Sequence, residues 1–367
     1  MVLIMKRSVF IFLSAVFLSL LVAPIVNILT APSRVDIKWK EKSFLFNMDF
    51  VSTWAGLVLY PFGISTDPRQ VIVGREGWLF LGDQHENTLT VDRRPPSKAD
   101  VDLGQEIGSA SKAWGAYLSR RGVRMFRVMI GPNKGTIYSE YLPFWAKPSI
   151  PNATDALLSG TGAPHYVDVR PALLSAKVNH SASLYYKTDT HWNSLGAGIA
   201  FQAFAQQVSS SAPEIEWPPQ TAYELDRVNP RRGGDLANFL RLTAHLSDQE
   251  PIIHASGLSI GTTQIDFDTK ELLYQTGSPF KPVLVKSIGS LNNKKVLWFR
   301  DSFGGAMLHL MTVTFSEVLH LHWYEAVKPG GRFCQLVEEW KPDYVFFTVV
   351  ERSSKNPLFA IHPPCAK

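Results

Sequence analysis

The chain has 367 residues, 45% hydrophobic and 19% charged, with a formal net charge of +5 and a pI near 9.0. This composition excludes intrinsic disorder, and the length suffices for one large or two smaller folded domains. The Lys and Arg residues are scattered, and without zinc-finger spacing, an aromatic-rich RNA signature or a basic helix they read as solubilising surface charge rather than a nucleic-acid footprint.

Lys6-Arg7 precedes an apolar stretch from Val9 to Ala31, interrupted only by Ser14, Ser19, Pro24, Asn27 and Thr30. About 20 apolar residues cross a bilayer core as a helix. A cleaved signal peptide is the competing reading, but the run exceeds the usual apolar region of roughly 7–15 residues. Leu29-Thr-Ala31 is also a poor small-x-small cleavage site, followed at once by Pro32. The expected organisation is therefore an uncleaved signal anchor over residues 1–32, a connector over 33–69 and one folded domain over 70–367, outside the cytoplasm. Flanking charge adds little, since Arg34, Lys38 and Lys40 lie beyond the apolar run.

Val71 to Leu81 predicts a hairpin turning at Arg75-Glu-Gly77. Residues 98–120 predict a helix with Leu103, Ile107, Ala110, Trp114 and Tyr117 along one stripe. Gly122 to Ile130 predicts a buried strand that ends at Gly131-Pro-Asn-Lys134, so helix and strand together read as the repeating unit of an α/β sheet. A short strand is expected at Tyr166–Val169, a turn of helix from Pro171 to Ala176, and a helix from Leu195 to Ala205 capped by Asn193 or Ser194. Residues 209–235 read as loop, and 252–277 as a small β-rich insertion beside the sheet. Glu317–His322 and Asp343–Val350 read as strands, the latter apolar enough to be fully buried. Cys334 and Cys365 could pair in an exported protein, or could never meet. With no CxxC motif and no Cys/His cluster, neither a zinc site nor another cofactor is indicated.

The chemistry concentrates in two places. Val296–Phe299 reads as a buried strand that stops at Asp301-Ser302 and passes through Gly304-Gly305 into a helix starting near Ala306. A serine at such a turn sits at the carboxyl edge of a sheet, with helix N-terminal amides nearby for an oxyanion. A simple helix cap at Asp301 or Ser302 is the alternative. Asp189 and His191 lie two residues apart before the helix at 195, and in an extended segment their side chains would point the same way. An activated serine needs a base whose tautomer a carboxylate holds, and Ser302, His191 and Asp189 can fill those roles. A local hydrogen-bonded pair, or a metal site short of ligands, is the alternative for Asp189 and His191.

Tyr186-Lys-Thr-Asp-Thr-His-Trp-Asn193 and Arg300-Asp-Ser-Phe303 resemble the two signature blocks of the alginate O-acetyltransferase family, the AlgJ/AlgX type. Similar blocks occur at Gly74-Arg-Glu-Gly-Trp-Leu-Phe80, Gly131 to Tyr138, Tyr141-Leu-Pro143, Gly234-Asp-Leu236 and Glu351-Arg352. The resemblance implies an α/β, SGNH-hydrolase-like three-layer fold with a mostly parallel central sheet. It also implies Ser302 as nucleophile, His191 as base and Asp189 as its orienting partner. Ordinary SGNH enzymes place the serine first and the Asp/His pair last; the order here is reversed, as in a circular permutation. Arg300 stands where the usual block has glycine, and Asn133 is the candidate for the oxyanion-hole asparagine. Lys134, Arg300 and Arg352 are candidates for binding uronate carboxylates. The implied activity is acetylation of an exported acidic or neutral polysaccharide from the periplasmic side of the inner membrane, with a membrane-bound acyltransferase supplying acetyl groups. An acetylesterase with the same triad, or a non-catalytic glycan-binding component of export machinery, would share these residues.

Overall fold

The computed structural model describes residues 2–30, 40–161, 165–258, 260–274, 277–363 and 365. Its strands are β1 (Val71–Val73), β2 (Leu79–Leu81), β3 (Met125–Gly131), β4 (Tyr166–Asp168), β5 (Leu225–Arg232), β6 (Ser247–Ile253), β7 (Gly261–Asp266), β8 (Val283–Ile288), β9 (Asn292–Arg300), β10 (Phe315–His322) and β11 (Tyr344–Val350). Among the described residues the main sheet has seven strands in the order β4-β3-β11-β9-β10-β8-β7. The five from β4 to β10 run parallel, and β8 and β7 add on antiparallel.

Side chains of the central strands alternate between two cores, as the twofold period of a strand requires. Trp298, Tyr344 and Phe346 join the core on one face; Leu297, Phe299, Val345 and Phe347 join the core on the other. The first face is covered by the helix Ser194–Ser209, whose Phe204 meets Phe346 edge-on at 5.1 Å. The second is covered by helices Lys98–Arg120 and Phe333–Trp340, where Trp114 meets Phe333 at 4.2 Å. This is the expected three-layer α/β arrangement with a mostly parallel sheet. The helix at 98–120 starts on a capping box between Ser97 and Asp100, which satisfies two otherwise orphaned amides.

Three expectations need correction. Residues 209–235 are not loop throughout: β5 lies within them and pairs antiparallel with β6 in a separate ribbon. Its side chains are nearly all exposed, so it carries no apolar alternation to read. The 252–277 stretch is not an insertion beside the sheet, since β7 forms the sheet's own edge through pairing with β8. The helix after Ser302 opens as a 3₁₀ turn, Ser302–Met307, and becomes α-helical over Leu308–Thr314.

Cys334 and Cys365 form a disulfide with Cα atoms 5.6 Å apart, tying the tail to the helix at 333–340. The N-terminal helix runs Val2–Thr30, and its segment Arg7–Leu29 is long and apolar enough to cross a membrane. Part of the expected connector lies outside the described residues. Within the rest, the helix Asp49–Leu59 packs Leu57 against a small third core containing Leu240 and Leu242.

Candidate active site

Three neighbouring parallel strands deliver candidate residues to one sheet edge. β9 ends at Arg300 and is followed by Asp301-Ser302; β11 is followed by Glu351-Arg352; β3 is followed by Pro132-Asn133-Lys134. Carboxyl ends of parallel strands are where open α/β sheets place their sites.

The cap at the start of the 302–307 turn is Asp301. One carboxylate oxygen accepts from the Phe303 amide at 2.9 Å and the other from the Val350 amide at 2.7 Å. Asp301 thus pins the turn to β11 and leaves the Ser302 hydroxyl without a capping duty. The same arrangement occupies the Phe303 amide, so that helix-end donor is not available to an oxyanion.

Ser302 Oγ lies 2.8 Å from His191 Nε2, and His191 Nδ1 lies 2.7 Å from Asp189 Oδ1. The two loops meet because Trp192 packs on Phe303 at 5.0 Å and its indole N–H donates to the Phe303 carbonyl at 2.9 Å. The Asp189–His191 segment is not extended as expected. It bends so that Asp189 Oδ1 also accepts from the His191 backbone amide at 3.1 Å, a local turn that brings ring and carboxylate together. Downstream, Asn193 accepts from the Gly196 amide at 3.1 Å and caps the helix that follows.

Residues that the sequence left without a role hold this loop. Arg231 Nη2 donates to Asp189 Oδ2 at 3.0 Å, with its guanidinium 3.9 Å over the Tyr186 ring. Asp235 accepts from the Thr190 amide and hydroxyl at 2.7 and 2.5 Å. Asp248 accepts from the Thr188 amide and hydroxyl, both at 2.7 Å. Gly234 permits the approach, since a Cβ there would lie 2.3 Å from Asp189 Cβ. Burial pushes the Asp189 carboxyl up, but hydrogen bonds from His191 and the Arg231 charge outweigh it and hold the group well below the usual carboxylate range. A carboxylate held ionised beside Nδ1 keeps the proton there and leaves Nε2 to accept from Ser302.

Asp189, His191 and Asp235 also present three ligand atoms within 4.8 Å. A cation would have to displace the Asp189–His191 bond beside the Arg231 guanidinium, so the set suits proton transfer better than metal binding.

The other candidates divide. Lys134 is buried, and its ammonium donates to the carbonyls of Tyr186, Lys187 and Asp189 at 3.0, 3.0 and 2.7 Å. An ammonium has three donors, so Lys134 has none left for a uronate, and it acts instead as an internal post under the loop. Arg300 is 1% exposed and donates to the Asp301 and Gly277 carbonyls at 3.1 and 2.7 Å and to His320 Nδ1 at 3.2 Å. Its side chain runs under the turn, where Gly304 leaves room: a Cβ at 304 would lie 2.6 Å from Arg300 Cδ. Both are thus corrected from glycan ligands to scaffold. Asn133 is buried with its amide nitrogen on Asp92 at 3.1 Å and its amide oxygen 3.4 Å from Arg352 Nη1. Of Lys134, Arg300 and Arg352, only Arg352 lines the open groove over Ser302, a cavity of about 700 Å³. Phe280, Trp323, His85 and Glu86 line it too, with the exposed Phe280 ring stacked on His322 at 5.2 Å.

Residues 71–276 match the family model described as SGNH hydrolase-like domain, acetyltransferase AlgX, a little over half the chain; Ser302 lies beyond that match. Over 187 residues the chain is 27% identical to a probable alginate O-acetylase AlgJ of Pseudomonas putida, covering 49% of this chain and 44% of that protein. A probable alginate O-acetylase AlgJ of Pseudomonas aeruginosa is 26% identical over 180 residues, 47% of this chain and 41% of that protein. The matched region thus spans less than half the length of these relatives. The fold is also similar to Bacillus cereus PatB1, with TM-score 0.57, 13% identity and coverage of 79% of this chain and 98% of that one. A DHHW family protein from Eubacterium siraeum gives TM-score 0.54 and 17% identity, over 80% of this chain and 96% of that one. These two likenesses speak to fold alone, but the model match across residues 71–276, which contains Asp189 and His191, shows that the chain belongs to the SGNH hydrolase-like AlgX acetyltransferase family.

Proposed function

We propose that the chain is an O-acetyltransferase that acetylates hydroxyls of an exported polysaccharide, alginate or a similar exopolysaccharide, through an acetyl-Ser302 intermediate. The observation that carries this reading is the continuous Ser302–His191–Asp189 relay, at 2.8 and 2.7 Å. Ser302 Oγ adds to the carbonyl of an acetyl ester or thioester while His191 Nε2 takes its proton. The tetrahedral adduct collapses, the bond to the leaving group breaks, and His191 returns the proton to that leaving group. A sugar hydroxyl then adds to the acetyl carbonyl, His191 takes its proton, and collapse passes the acetyl group to the sugar and the proton back to Ser302. Asp189 remains ionised throughout and stabilises the imidazolium. Arg352, the cation in the groove, faces developing oxyanion or glycan charge. Phe280 offers a flat apolar surface for a pyranose ring.

The activity of the AlgJ relatives, alginate O-acetylation by their names, supports the substrate class. The apolar helix at 7–29 fits an anchor that holds the domain at the periplasmic face of the inner membrane, where a membrane-bound acyltransferase would supply acetyl groups. Hydrolysis is the second reading, because the groove over Ser302 is open and water can reach an acetyl-serine.

Incubating the protein with an acetyl donor and an oligosaccharide separates the outcomes. Acetylated sugar supports transfer, acetate alone supports an esterase, and neither supports a binding role. Ser302→Ala should abolish acetyl turnover with an unchanged melting temperature; retained turnover would sink the assignment of the nucleophile.

A further inference from the structure

The helix Asp49–Leu59 has two dissimilar faces. At 100° per residue, Asp49, Thr53, Gly56, Leu57 and Tyr60 cluster on one side, and Val51, Trp54, Val58 and Phe62 on the opposite side. The first side is fastened to the catalytic domain. Thr53 Oγ1 donates to the Arg241 carbonyl at 3.2 Å, Asp49 pairs with Arg241 at 2.9 Å, and the Tyr60 hydroxyl donates to the Gly77 carbonyl at 3.1 Å. A Cβ at Gly56 would lie 3.2 Å from the Leu242 side chain, so helix and domain are in close contact there.

The second side is largely exposed among the described residues. Trp54 is 69% exposed and Phe62 77%, and Val51 and Val58 are exposed beside them, as are Phe46, Met48 and Ile64. Seven large apolar side chains in one short segment exceed the single scattered hydrophobics normal on a soluble surface. What covers them is indicated by the neighbouring segment. Asn27, near the far end of the apolar span Arg7–Leu29, donates from its amide to the carbonyls of Phe44, Leu45 and Asn47 at 3.0, 3.0 and 3.1 Å. The start of the 49–59 helix is thereby tied to the level at which the span leaves a bilayer. Trp54 lines the cleft between the two segments together with Val26, Phe44 and Arg241. Lys40 and Lys42 are exposed at the same junction, where anionic headgroups attract cations.

We propose that the 49–62 segment lies in the bilayer interface, seating Val51, Trp54, Val58 and Phe62 among lipid headgroups and upper acyl chains while its other face carries the catalytic domain. An amphipathic helix with Trp on its apolar face adopts this position at a membrane surface. The domain then docks on the membrane as a rigid unit instead of swinging from the anchor. The inference rests on the anchor reading of residues 7–29, and the test distinguishes the two.

The full-length chain is reconstituted in vesicles of phosphatidylethanolamine and phosphatidylglycerol. A small fluorophore is attached at one introduced cysteine, from Val51→Cys, Trp54→Cys or Val58→Cys; the native cysteines are paired with each other and do not compete. Leu18→Cys reports on the anchor, and Val178→Cys, on an exposed site of the catalytic domain, is the control. Lipid-borne nitroxides should remove about half of the emission at 51, 54 and 58, at one common shallow depth of about 5–10 Å, and leave 178 unchanged. Quenching at 18 without quenching at 51, 54 and 58 overturns the docking and keeps the anchor. Quenching at 51 that fades through 54 to 58 also overturns it, because the helix would then rise out of the membrane. Quenching at 51, 54 and 58 without quenching at 18 supports docking and overturns the anchor, and quenching at none of them overturns both.

Discussion

Asp189→Asn should be severely impaired, and the structure makes the extent of the loss depend on Arg231. Each carboxylate oxygen of Asp189 faces donors only. Oδ1 accepts from the ring and backbone nitrogens of His191 at 2.7 and 3.1 Å, and Oδ2 from Arg231 and the Asp235 amide at 3.0 and 3.4 Å. An asparagine has one acceptor and one NH2, so one side must set donor against donor. Turning the NH2 toward the Arg231 charge is the worse clash. The NH2 therefore faces His191 Nδ1, which must now accept, and the imidazole proton moves to Nε2. In that tautomer His191 no longer accepts from Ser302. A wrong-tautomer triad loses about 10⁴-fold in kcat, or about 5 kcal/mol of transition-state stabilisation.

Arg231→Met removes the clash that forces this orientation. A hydrogen bond to a charged group contributes about 1.5–3 kcal/mol. Arg231 is 30% exposed, so screening reduces the stability loss of the single variant to about 1 kcal/mol, with less than about a tenfold loss in kcat. In Asp189→Asn/Arg231→Met the NH2 can turn to the vacated side and the carbonyl back to His191, so kcat should recover at least about tenfold over Asp189→Asn alone. Release of acetate from a small chromogenic ester gives kcat, and melting curves show whether each variant is folded. A double variant no faster than Asp189→Asn at equal thermal stability would refute the tautomer argument.

Phe280→Ala should raise KM for an oligosaccharide acceptor roughly fivefold, the loss of about 1 kcal/mol of stacking, while turnover of a small ester stays unchanged; equal effects on both substrates would remove Phe280 from the acceptor path. Asp92 predicts a pH dependence. Burial, reinforced by the Glu351 charge, lifts its carboxyl from 3.8 to about 7. A carboxyl raised on folding holds its proton more tightly in the folded state, so its contribution is present below about 3.8 and is lost as pH rises toward 7. At 1.36 kcal/mol per unit the loss is at most about 4 kcal/mol. Asp92→Asn should therefore flatten the fall in melting temperature between pH 5 and pH 8, and a variant with the wild-type slope would assign that slope to another group.

The layered fold was legible because its central strands are buried on both faces and its long helices are amphipathic. β11 is buried throughout and apolar but for Thr348, and the stripe from Leu103 to Tyr117 marks the covered face of its helix. β5 was illegible for the converse reason. Its sequence, Leu225-Asp-Arg-Val-Asn-Pro-Arg-Arg232, stands in solvent, and what makes it a strand is pairing with β6, a partner more than a dozen residues away. The Gly234-Asp-Leu block stood out only as a family resemblance, and a sequence cannot show that Asp235 and Arg231 converge on the loop at 189–191 from the other side. The proposed triad is assembled from two local elements. A two-residue turn pairs Asp189 with His191, and the Asp301 cap leaves Ser302 free.

The two cations misread as glycan ligands show what local sequence cannot decide. Lys134 and Arg300 each follow or end a strand at the site edge, as a substrate-binding cation would. Whether such a group faces substrate depends on how many of its donors the fold has already engaged. For Lys134 the answer lies more than fifty residues away, in the carbonyls of 186, 187 and 189. Without Lys134 the buried carbonyls of 186 and 189 would lose this partner, at about 1–3 kcal/mol each, while that of 187 still accepts from the Leu79 amide at 2.8 Å. For Arg300 it lies in the geometry of the turn itself. Where the related block has glycine, this chain has a long side chain that folds back beneath residues 301–305, and the missing side chain at Gly304 provides the space. The guanidinium then takes the Asp301 carbonyl from below while the Asp301 carboxylate caps the turn from above. Asp301 is thus engaged at both its carbonyl and its carboxylate, and Arg300 supports the turn that carries Ser302 from within the fold.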